Sequence, residues 1–149
     1  VNKGFTLIEL MVVMVIIGIL AAIGLPIYLN QIMKAENTEV LMLLDSLATP
    51  IEEFNLINNR YPADVNSGNN PGLSVWPTEI PFDSVLDYEH WSVEHNMCVV
   101  LINHFGRNRV RDAPVHMKAG EVGSIVMVDD DFIKTIAEYP CDSPRGSIR

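Results

Sequence analysis

Positive charge is scarce in this chain. Ten Lys and Arg stand against nineteen Asp and Glu, giving a formal charge of -9. The cations form no dense block, and Arg107, Arg109 and Arg111 are their only cluster. A chain this acidic is poorly suited to holding the nucleic-acid backbone without regard to sequence. Cysteine is nearly absent, with Cys98 and Cys141 alone. In the cytosol they would be two free thiols; in an exported chain they are the obvious pair. There is no internal repeat and no low-complexity tract. Catalytic signatures are missing too. The sequence has no G-x-S-x-G elbow and no Walker A loop, and its Ser, His and Asp residues cannot be assembled into a triad by sequence alone. His90, His95, His104 and His116 stand at no zinc-ligand spacing, so they read as solvated or capping histidines. Asp129-Asp130-Asp131 could offer oxygens to calcium, but it lacks the glycine and spaced acids of an EF-hand loop. No cofactor or metal is expected, and an enzyme is not expected.

What the chain does have is a long apolar run near its start. Leu10 to Leu29 carries no charge, and from Phe5 onward the one charged side chain in the run is Glu9. That length is close to what crosses the hydrocarbon region of a bilayer. Lys3, in the leader Val1-Asn2-Lys3-Gly4, places the N-terminal side in the cytoplasm and the rest across the membrane. Ala21-Ala22-Ile23-Gly24 offers small residues at which an ordinary secretory signal could be cut, freeing a soluble domain. The apolar run continues through Leu25, Ile27, Tyr28 and Leu29, which favours retention as an anchor.

Gly4-Phe5-Thr6-Leu7-Ile8-Glu9, followed by this helix, resembles the class III signal of type IV pilins and pseudopilins. The likeness covers about the first 35 residues. It implies cleavage by a prepilin peptidase between Gly4 and Phe5 and methylation of the new N-terminus at Phe5. It also gives Glu9 a partner. An acid inside a spanning helix costs roughly 2.5–3.5 kcal/mol on insertion scales. The amine of a processed Phe5 could meet the Glu9 of an adjacent subunit and set register during polymerisation, if the geometry is good enough to offset desolvation. The competing reading is that Glu9 snorkels or serves its own helix N-terminus. The first residue, Val1, fits either an unusual start codon or a trimmed chain.

Gly18, Gly24 and Pro26 weaken the helix. The two glycines also permit close helix approach. The expectation is either a static kink or local melting between Gly18 and Pro26 when the subunit leaves the bilayer. Pilins with proline at the matching place support the melting. After Leu29 the pattern turns amphipathic, with Met33, Val40, Leu44, Leu47, Ile51 and Phe54 at helical spacing. Thr49-Pro50-Ile51-Glu52 reads as a cap followed by proline, so a kink or restart is expected near Thr49. Asn58-Asn59-Arg60-Tyr61-Pro62 ends the helix.

The predicted organisation is a leader at 1–4, a membrane and polymerisation helix at 5–29, its amphipathic continuation at 30–59, and a globular head at 60–149. Residues 62–87 are turn-rich and form a connecting loop, with Trp76 and Phe82 as anchors into the core; a carbohydrate or partner platform at Trp76 is the other reading. Strands are expected at 88–93, 97–105 and 124–128. A weak edge strand is expected at 110–117, demoted by Pro114. Residues 132–139 read as a short helix. The fold class is therefore α+β, a long N-terminal helix packed on a small antiparallel sheet of three or four strands.

If Cys98 and Cys141 bridge, they close a loop of about 40 residues, worth about 4 kcal/mol by chain entropy. Two buried thiols are the alternative; the pilin resemblance implies the bridge. Arg107, Arg109 and Arg111, at alternate positions on a strand, would share one face for DNA or a neighbouring subunit. Solvated edge charge is the plainer alternative.

The resemblance implies a type IV pilus subunit, held in the inner membrane with its head outside the cytoplasm and later assembled into an extracellular filament. Its implied partners are further pilin copies, the prepilin peptidase, the inner-membrane assembly machinery and lipid, with DNA as a further candidate. Adhesion, motility or DNA uptake would follow from the filament. Pro26 and the cysteine pair favour a pilus over a type II secretion pseudopilus, and Glu9 argues against a specialised tip subunit. The rivals are that pseudopilin, a membrane-anchored binding domain that never polymerises, and a secreted enzyme behind an ordinary signal.

Overall fold

The structure is a computed structural model that describes residues 4–143. The leader residues 1–3, with Lys3, and the tail 144–149 lie outside the described residues. The first element, α1, runs from Leu7 to Asn58. The chain divides into two compact units, Val1–Asn37 and Thr38–Arg149.

In the first unit, α1 is helical through Gly18, Gly24 and Pro26, and every described residue up to position 35 is exposed. Its best window has a mean hydropathy of 2.9, and it is long and apolar enough to cross a membrane. Aliphatic side chains left bare in this way require a surrounding that is neither water nor this unit itself.

In the second unit, α1 continues from Thr38 to Asn58 and lies on a four-stranded antiparallel sheet, giving an α+β fold. The strands are β1 (Leu86–Val93), β2 (Met97–His104), β3 (Ile125–Val128) and β4 (Asp131–Pro140), in the order β1-β2-β4-β3. The helix buries Val40, Leu44, Leu47 and Ile51 against Leu86, Tyr88, Val100, Ile102, Phe132 and Ile136. This is the amphipathic stripe expected from the sequence from Val40 onward, with Phe54 packed at its margin; Met33, its expected first member, is exposed. Asn55 joins the buried set. No break occurs near Thr49: α1 passes through Pro50, because the buried stripe continues on both sides of it. The helix stops at Asn58, and Asn59 takes the left-handed conformation (φ 53°) common after a helix end.

The other face of the sheet is also covered. Trp91, Val99, Leu101 and Ile133 pack with Ala113 and Ala119 from the loop 105–124. With the sheet enclosed on both faces, β2 is buried almost throughout and β4 from Asp131 to Ala137. That overturns the expected helix at 132–139. A strand buried on both sides shows no alternation, and a bulge between Val100 and Leu101 shifts the register further, so that Ile136 and Ala137 both join the helix-side core.

The expected edge strand at 110–117 is not formed. Asn108 Oδ1 accepts from Val110 N–H (2.7 Å), and Asp131 Oδ2 accepts from the N–H groups of Asp112 and Ala113 (3.0 Å each). Side chains thus take the backbone donors that a ladder would need. Trp76 and Phe82 pack against the helix-side core as anchors of the connecting segment. Cys98 and Cys141 form a disulfide, with Cα atoms 5.0 Å apart.

Candidate functional site

The N-terminal turn of α1 contains a reciprocal cap. Thr6 precedes the first helical residue. Its backbone N–H donates to Glu9 Oε2 at 2.8 Å, and its hydroxyl donates to the same oxygen at 2.7 Å. Thr6 Oγ1 in turn accepts from Glu9 N–H at 3.4 Å. Thr-x-x-Glu is the capping-box pattern, which satisfies donors that a helix start leaves without partners. The carboxylate also lies at the positive end of the helix dipole. Within the single chain, Glu9 therefore serves its own helix start. Its exposure leaves it open to a partner as well. Phe5, the expected mature first residue, is 81% exposed. A Cβ added at Gly18 or Gly24 would meet nothing within 4 Å, so both positions have open space beside them.

The expected strand beneath Arg107, Arg109 and Arg111 is absent. Arg107 and Arg109 lie in turns, with Arg109 at φ 61°, and both approach Phe82. Arg107 places its guanidinium 4.9 Å from the centre of the Phe82 ring. Arg109 pairs with Asp83 at 3.3 Å and donates from Nε to the Phe82 carbonyl at 3.0 Å. Arg111 turns inward. It pairs with Asp87 at 2.5 Å and with Glu89, and donates to the Ala113 carbonyl at 3.0 Å. Burial pushes the Glu89 carboxyl up, against the pull of Arg111. Arg111 is thus a structural ion-pair residue holding the loop 105–124 to β1.

The histidines also depart from expectation. His95 and His116 are exposed, but His90 and His104 are buried and hydrogen-bonded. Among the described residues no group of three His, Cys, Asp or Glu is placed to hold a metal ion. Asp131, from the acidic run, is fully buried and anchors the loop 105–124. Sequence reasoning passed over Asp87 and Glu89. The available signal was their alternation with Tyr88 and His90, which puts two acids on one face of a strand and demands a cation there.

Comparison with known proteins bears on the N-terminal cap. Residues 1–25 match the family model described as a prokaryotic N-terminal methylation motif. The chain is 32% identical over 108 residues to a type IV major pilin protein, PilE1, of Neisseria gonorrhoeae, covering 72% of this chain and 57% of that one. It is 55% identical over 74 residues to a fimbrial protein of Moraxella nonliquefaciens, covering 50% and 47%. It is 56% identical over 53 residues to the fimbrial protein EcpB of Eikenella corrodens, covering 36% and 33%. The chain spans about half the length of the first of these curated relatives it matches. No solved structure matches it. The N-terminus is thus a type IV prepilin methylation motif, and the homologues are named as type IV major pilins and fimbrial proteins.

Proposed function

We propose that this chain is a structural subunit of a type IV pilus. In this reading it is stored in the inner membrane, cut after Gly4, methylated at Phe5 and polymerised through α1. It works as a structural protein and not as a catalyst. One observation carries the proposal: a methylation motif opens a helix whose side chains up to position 35 are all exposed. In a bilayer those side chains face lipid; in a filament they face the same helix of other copies. Gly18 and Gly24 supply room for that approach, and Pro26 supplies a place where a backbone bond is already missing. The charge on Glu9 favours the cationic amine of a processed Phe5 in a neighbouring copy. The partners in this reading are further pilins, the prepilin peptidase and the assembly machinery. Adhesion, motility or DNA uptake would be properties of the filament.

The experiment is mass spectrometry of the protein from its native membrane, joined to imaging of the cell surface. A methylated Phe5 at the N-terminus together with surface filaments containing this chain is the expected result. An intact leader, or a start near residue 23, would overturn the proposal. A methylated Phe5 without surface filaments would favour a secretion pseudopilus.

A further inference from the structure

The head leaves charges of opposite sign unpaired at opposite ends of its helix. Arg60 follows the end of α1 and is exposed, and its guanidinium has no ion pair or hydrogen bond among the described residues. Beside it Leu56 and Ile57 are 76% and 73% exposed. Glu39 stands near the other end of this half of α1, with Met42 66% exposed one turn further on. The Glu39 carboxylate and that of Glu79 are exposed and likewise have no ion pair or hydrogen bond among the described residues. Glu39 and Ile57 lie on one line of α1, about five turns and about 27 Å apart.

Glu39 and Glu79 line a cavity of about 560 Å³ together with Asp83 and Ser84. Asp83 already pairs with Arg109 at 3.3 Å, yet its side chain is 91% exposed. Three carboxylates thus stand beside one cation, and negative charge is in excess. Ser84 is 7% exposed, and its buried hydroxyl has no hydrogen-bond partner. A buried hydroxyl without a partner at the wall of a cavity calls for a polar ligand there. Among the described residues no group of acids is placed to hold a metal ion. A guanidinium suits the site better. It is flat, carries five N–H donors and spans carboxylates that a small ion cannot reach together.

We propose that Arg60 of one copy enters this acidic cavity of a second copy and so joins the heads end to end. The inference rests on the proposed filament, in which the α1 helices of successive copies run parallel. A copy moved by about 30 Å along α1 brings its Glu39 level with the Arg60 of the first. Leu56 and Ile57 of the first copy then have Met42 of the second as apolar company. One end of the head gives and the other receives, so the contact is heterologous and repeats without closing. A single exposed ion pair adds little, but a filament repeats it at every copy.

Filaments sheared from cells test the contact. Arg60→Lys keeps the charge and supplies a primary amine, which a carbodiimide joins directly to a carboxylate that it touches. Mass spectrometry should find position 60 bonded to Glu39 or Glu79. Within one copy about 30 Å of helix separates Arg60 from Glu39 and the cavity it lines, so such a bond joins two copies. Arg60→Glu alone and Glu79→Arg alone each set like charges together, and each should lower filament yield at least about tenfold. Combined, they should restore it to within about threefold, because the pair is then only reversed. With filaments present, coupling of position 60 only to other carboxylates or to another protein overturns the contact. So does a double variant no better than Arg60→Glu. An unsubstituted chain that forms no filaments overturns the proposed function, and the contact falls with it.

Discussion

Glu9 and Thr6 hold each other at the start of α1. One carboxylate oxygen of Glu9 takes both the Thr6 N–H at 2.8 Å and the Thr6 hydroxyl at 2.7 Å. The proposed function asks a second role of the same side chain, a charge offered to another copy. Substitutions separate them. Glu9→Gln keeps an amide oxygen for the cap but removes the charge. We expect helix content in micelles to be unchanged by circular dichroism and filament yield to fall at least about tenfold. Thr6→Ala does the reverse. It should cost about 1 kcal/mol of helix-start stability, seen as faster amide exchange in the first turn. Equal filament yields for Glu9→Gln and the unsubstituted chain would remove the charge from the assembly mechanism.

Arg111 differs in kind from Arg107 and Arg109. Its partners Asp87 and Glu89 are buried, and Glu89 already resists ionisation because of that burial. Arg111→Ala would leave both carboxylates without their cation and should cost the head about 3 kcal/mol at pH 7. Arg107→Ala and Arg109→Ala, at exposed positions, should each cost less than about 1 kcal/mol. Thermal unfolding of the three variants checks the order. The sign with pH is a further check. A carboxyl held up in the folded state opposes folding when ionised, and that penalty fades as pH falls through the raised folded value and is gone below the ordinary Glu value of about 4.3. The gap between Arg111→Ala and the unsubstituted chain should therefore narrow in acid.

Much of the fold was legible in the sequence where one face of an element is apolar and the other is not. Val40, Leu44, Leu47 and Ile51 announced the helix side of the core. The uncharged stretch from Leu10 to Leu29 announced the bare half of α1, while the Thr6–Glu9 cap went unread although its Thr-x-x-Glu spacing is in the sequence. What failed had one physical cause. The sheet is covered by α1 on one face and by the loop 105–124 on the other, so β4 has no polar side to alternate with. Lys134 on β4 is buried and reaches Asp45 at 2.6 Å. The loop around Val110 is no strand because its order comes from the local bonds of Asn108 to Val110 and Asp112 and from the bonds of Asp112 and Asp131 to distant backbone, none of which leaves a periodic trace. His90 and His104 were misjudged for the same reason, since their acceptors at Pro62 and Pro81 are far away in sequence.

Gly106 shows how tightly the two loops beside β2 meet. It is left-handed (φ 57°), and a Cβ there would fall 2.0 Å from the Asp130 carbonyl oxygen. The Asp130 carboxyl, 2.5 Å from the added carbon, could turn aside, but its backbone carbonyl could not. Gly106→Ala should destabilise the head by more than about 2 kcal/mol, the sum of an unfavourable φ and a clash with backbone. Gly72→Ala is the control: φ is 92° there, but nothing lies within 4 Å of the added carbon. It should show the conformational penalty alone, about 1 kcal/mol. Denaturant titration of both variants separates the two contributions, and equal losses would mean that the contact with Asp130 carries no cost.

The disulfide joins the start of β2 to the residue just beyond β4. Cys98 stands opposite Tyr139 in the register, and the bonded cysteines are 43 positions apart. The covalent link therefore holds the end of β4 where Tyr139 supplies its hydroxyl to His90 and stacks on Tyr61 at 5.2 Å. Replacing both cysteines by serine should cost about 2–5 kcal/mol of head stability, mainly through a freer unfolded chain. The loss should not be spread evenly. Amide exchange near Tyr139 and Pro140 should quicken first, while Asp131 to Thr135, held between β2 and β3, should keep their protection up to global unfolding. Hydrogen exchange on the double Ser variant measures both. Uniform acceleration along β4 would show that the bond stabilises the head only as a whole and does not specifically fasten its end.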